Sequence, residues 1–75
     1  MVVLQKEGCT HIFWVDGRLV WKRSKDYTGA NYLDFDRHRD ADTAQDYYQL
    51  LIRKHLERGW EICHESQDGQ KQPHH

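Results

Sequence analysis

The sequence is poor in the features that usually announce a function. Its two cysteines, Cys9 and Cys63, are too few for a disulfide framework, so both are expected reduced, as in the cytosol. The start, Met1-Val2-Val3-Leu4-Gln5-Lys6, has three apolar residues after Met1, far short of a secretory leader or a membrane span. A cytoplasmic protein with no membrane contact is the expectation. The chain also lacks charge of one sign: its formal net charge is −1, which gives no strong field for steering a polyanion. Residues 1–39 hold seven Lys/Arg against five Asp/Glu, and residues 40–75 hold four against seven, so the first half is mildly basic and the second mildly acidic. No Gly-x-Ser-x-Gly elbow, phosphate loop or pair of carboxylates on a buried face is present. No enzyme, catalytic residue or cofactor is therefore assigned.

What remains is a chain of 75 residues, room for one domain whose core alone would supply roughly 3–5 kcal/mol. Three Trp, four Tyr and two Phe provide the bulk. Two β-rich runs, Thr10 to Val15 and Arg18 to Arg23, flank Asp16-Gly17, which predicts a β-hairpin over 10–23. Taking Asp16-Gly17 as the whole loop pairs Trp14 with Leu19, Ile12 with Trp21 and Thr10 with Arg23. That face, with its two Trp side chains, is the expected core. The opposite face, with His11, Phe13, Val20 and Lys22, is then expected to be half-wet and open to a partner.

Asn31 to Asp36 alternates as a further strand, and Val2 to Gln5 reads as another, set off by Gly8. Asp42 is the expected helix N-cap, with Gln45 completing a capping box; Arg58-Gly59 is the stop signal. The spacing of Ala44, Tyr48, Leu51, Ile52, His55 and Leu56 predicts one apolar stripe on a helix over 43–58. Trp60 to His64 alternates and can close the sheet. The fold class is thus α+β, a small antiparallel β-sheet of three to five strands packed against one C-terminal amphipathic helix. The domain spans 1–65, with a polar tail at 66–75.

Four groups, Cys9, His11, Cys63 and His64, could be considered for zinc. Cys63 and His64 are neighbours on a strand and point to opposite faces, so they cannot converge with the other two, and no metal site is assigned. Asp34, Asp36, Asp40 and Asp42 lack the spacing of a calcium loop and read as a solvated strand and a helix cap. Arg18, Lys22, Arg23 and Lys25, with Trp21 and Tyr27 nearby, have the composition of a nucleic-acid surface, because cations neutralise phosphate and aromatic rings stack on bases. The bland reading of the same residues is a charged sheet edge that resists aggregation.

With Val20-Trp21-Lys22-Arg23, Gly29, the helix containing Ala44, and Gly59-Trp60-Glu61, the chain resembles the WGR domain over residues 11–62. That family occurs in poly(ADP-ribose) polymerases and in bacterial proteins. Where it has its Trp-Gly-Arg this chain has Ser24-Lys25-Asp26, so the family's DNA-end contact and inter-domain arginine transfer to no residue here. The resemblance implies a non-catalytic docking module. The expectation is accordingly a small interaction module that binds another protein through His11, Phe13, Val20 and Lys22. The alternative is nucleic-acid binding through Arg18, Lys22, Arg23 and Lys25; monomer and homodimer are both left open.

Overall fold

The computed structural model describes residues 1–66, so the expected polar tail lies, from residue 67 on, outside the described residues. Five strands and one helix follow in the order β1 (Val2–Lys6), β2 (Cys9–Asp16), β3 (Leu19–Lys25), β4 (Asn31–Arg37), α1 (Ala41–Glu57) and β5 (Glu61–Glu65). The strands form one antiparallel sheet in the order β4-β3-β2-β1-β5. The helix therefore stands between β4 and β5 and is not C-terminal. Each of the four neighbouring pairs is antiparallel, so β4 and β5, at opposite edges, run the same way. Crossovers between such strands are right-handed in nearly all proteins, so the chain's path and not side-chain size alone selects the face that the helix covers.

Local chemistry explains the turns. Lys6 pairs with Cys9 across Glu7-Gly8, and both loop residues have positive φ, as a tight primed turn requires. The β2–β3 loop differs from the expected one. Asp16 pairs with Leu19, so the loop is Gly17-Arg18, with Gly17 at φ 61° in its first position. Trp14 consequently faces Trp21 directly, Ile12 faces Arg23 and Thr10 faces Lys25. This shifts the pairing by two residues along the partner strand. Because the side-chain period in a strand is also two, the sorting of residues between the two faces survives the error.

Which face is the core does not survive. Phe13 is completely buried and Val20 is 2% exposed, and they join Val2, Leu4, Ala44, Tyr48 and Ile52 in the core between sheet and helix. Trp14 and Trp21, expected there, lie on the opposite face. Phe13, Val20, Val2 and Leu4 carry no polar side-chain atom and can be desolvated without cost, whereas each indole N–H would need a buried acceptor. Putting the Trp face under the helix would also have brought Thr10 and Arg23 with it.

The helix begins two residues earlier than expected. Asp40, not Asp42, is the N-cap: its carboxylate accepts from the Thr43 backbone N–H at 2.7 Å, and its carbonyl accepts from Ala44. The hydrogen bonds from the Thr43 backbone and side chain hold the Asp40 carboxyl below its ordinary pKa. Asp42 falls in the first turn, where its charge suits the dipole, and Gln45 is too far along to close a capping box. At the other end Gly59 takes φ 94°, its N–H and that of Trp60 cap the Leu56 and His55 carbonyls, and the chain turns into β5.

Candidate docking face

Because one helix covers one side of a five-stranded sheet, the other side has no covering layer among the described residues. Adjacent strands place Phe35 beside Trp21, Trp21 beside Trp14, Leu33 beside Arg23, Arg23 beside Ile12, and Ile12 beside Val3 on this helix-free side. The aromatic rings touch in a row. Trp14 and Trp21 are stacked with ring centres 6.0 Å apart, and Trp21 and Phe35 lie at 5.0 Å. Leu33 is 53% exposed and Phe35 45%, so the row runs uninterrupted to the solvent at β4. An open depression of about 390 Å³, bounded by Met1, Ile12, Trp14 and Arg23, offers a socket beside the rings.

The charges on this face stand at its ends. Asp16 and Arg37 flank Leu19 at one end; Lys25 and Glu61 lie at the other, opposite Thr10 and Gln5 respectively. Arg23 alone interrupts the middle. By contrast, the sheet's two edges are protected against pairing. Beyond the helix, β4 directs Asp34 and Asp36 to the helix side, and β5 bulges between its partners Val3 and Leu4.

The residues expected to bind a partner are elsewhere. His11, Phe13, Val20 and Lys22 share a face as expected, but it is the face sealed by α1, with Phe13 and Val20 inside the core and only His11 and Lys22 half-buried. The four basic residues do not converge either. Arg18 is exposed in the turn, Lys22 faces the helix side, and only Arg23 and Lys25 reach the open face.

A second cluster lies under the end of the helix. His55 Nδ1 is 2.8 Å from the Leu51 carbonyl and must donate to it, which leaves His55 Nε2 to accept from His11 Nδ1 at 2.9 Å. His11 also stacks on Trp60, with ring centres 4.3 Å apart. Burial, then the neighbouring His55 and Lys22, pushes the His11 pKa down to about 4, so the ring is neutral at physiological pH. Two imidazoles alone make no metal centre, and among the described residues no group of three or more His, Cys, Asp or Glu could hold an ion. Cys9 and Cys63 are free thiols, one half-buried on β2 and one exposed on β5. Burial, followed by the Asp36 carboxylate, raises the Tyr47 pKa.

Among the described residues no helix is long and apolar enough to cross a membrane. Comparison of the chain with protein-family models, with curated proteins and with solved structures returns no match.

Proposed function

We propose that this chain is a small, non-enzymatic, cytoplasmic interaction module that docks another protein on its helix-free sheet face. The observation that supports this reading is the continuous row of Ile12, Trp14, Trp21, Phe35 and Leu33, which no element among the described residues covers. Interface centres are enriched in Trp and Phe and depleted in charge, with polar residues at the rim, and this face has that layout. The docking role expected from the sequence is kept, while the surface that performs it moves to the opposite side of the sheet.

The test is capture of partners by the full chain beside its Trp21→Asp and Phe35→Asp variants. Loss of the captured protein with both variants, each still folded by far-UV circular dichroism, is expected. Capture unaffected by either substitution would overturn the reading.

A nucleic-acid reading, in the manner of the WGR-like alternative, has one observation in its favour: Arg23 and Lys25 share the open face with the aromatic row. Single-stranded nucleic acid binds such platforms by base stacking and phosphate neutralisation. Aliphatic Ile12, Val3 and Leu33 beside the rings, and acidic Asp16 and Glu61 at the ends, suit a protein better. Binding of a single-stranded oligonucleotide that weakens steeply with salt would reverse that preference.

A further inference from the structure

Resting on the docking reading above, we propose that the protein seated on the open face is a second copy of this chain, the two sheets packing face to face as a symmetric sandwich. Four features converge on that occupant. The first is size. Five strands of five to eight residues, about 4.8 Å apart, present roughly 500 Å² on one face. Two such faces bury about 1,000 Å² in all, the least a specific interface needs.

The second feature is charge. Each end of the face carries one acid and one base, Asp16 with Arg37 and Lys25 with Glu61, so the ends of two copies meet without a like-charged field, and the central Arg23 is the one charge left over. A strongly basic or acidic partner would find no complementary surface here. The third is the need of the fold itself. Only seven residues are buried hydrophobics in the described chain, and domains this small commonly gain what the core lacks by associating.

The fourth is the contrast between face and edges. Both edge strands carry devices that discourage pairing, a bulge on β5 and exposed Asp34 and Asp36 on β4, while the centre of the face carries none but Arg23. Edge-to-edge extension is thereby disfavoured and face-to-face contact is left open. Aligned sheets pack about 10 Å apart through interdigitating side chains, and the socket beside Trp14 can receive a side chain from the opposing copy.

The experiment is sedimentation equilibrium of the full chain across a wide concentration range, with Trp21→Asp, Phe35→Asp and, as a control on the exposed side of the helix, Arg53→Asp. The wild type and Arg53→Asp are expected to approach twice the 9.1 kDa chain mass at high concentration, and the two face variants to stay at 9.1 kDa. Circular dichroism identifies a variant that has merely unfolded, and the second face variant then decides. A wild type that stays at chain mass throughout overturns the second copy as occupant. So does a dimer that both folded face variants leave intact. In the first case, capture of a different protein that Trp21→Asp abolishes keeps the docking reading while removing this one. Capture indifferent to Trp21→Asp and Phe35→Asp removes both, and salt-sensitive binding of oligothymidylate by the monomer replaces both with a nucleic-acid role.

Discussion

The two faces of the sheet both carry apolar side chains and meet different fates. On the helix side, Val2, Leu4, Phe13 and Val20 are sealed by Ala44, Tyr48 and Ile52. On the other, larger side chains, Trp14, Trp21, Phe35 and Leu33, stay in contact with water. Residue size therefore does not decide burial here. The path of the chain from β4 through the helix to β5, and the lack of polar atoms in Val2, Leu4, Phe13 and Val20 at the centre of the covered face, decide it. An apolar face that nothing among the described residues covers is the feature on which the proposed docking rests.

The sharpest way to break this comparison is to hollow out the sealed face. Phe13→Ala removes a fully buried ring and is expected to cost about 3–5 kcal/mol, close to the whole stability of a domain this size, so its thermal transition should vanish or fall near ambient temperature. Gly59→Ala acts at the helix end, where a side chain at φ 94° is strained; a loss of about 1–2 kcal/mol in urea titration is expected.

Acid tests the sealed side through His11. Its pKa lies near 4 in the folded chain and at 6.5 in the unfolded one, so the unfolded chain takes up the proton first. Its contribution is complete above about pH 6.5 and fades as the pH falls towards 4. Since the ring is only half-buried, solvent screening reduces the loss to the order of 1 kcal/mol. Urea midpoints across this range should decline in the wild type and decline less in His11→Phe; equal slopes would show that His11 is not the group responsible. Trp21→Ala on the open face should be mildest for the dilute monomer, about 0.5–1 kcal/mol from the lost ring contacts.

Much of the fold was legible before any coordinates. The strands at Val2, Thr10, Arg18 and Asn31, the helix stripe of Ala44, Tyr48 and Ile52, and the stop at Gly59 all follow from period, propensity and caps. Asp42 was mistaken for the cap because Asp40 is equally suited to the role, and only the backbone at residue 40 separates them. The docking face was not legible for a different reason. Alternation sorts residues onto two faces but does not say which one a later helix will cover, since that depends on a crossover spanning the entire sheet. Guessing from bulk put Trp14 and Trp21 inside and Phe13 and Val20 outside, and so named as a partner site residues that the helix had already claimed.

One paired measurement tests the division between the faces most directly: thermal melts, by far-UV circular dichroism on dilute protein, of Phe13→Asp beside Trp21→Asp. A charge at position 13 would be buried without a partner beneath the helix, whereas at position 21 it can remain hydrated on the open sheet. Trp21→Asp should melt cooperatively near the wild type, and Phe13→Asp should show no folded baseline. A cooperative Phe13→Asp beside an unfolded Trp21→Asp would contradict the account, placing the core on the Trp face and leaving the Phe13 face open.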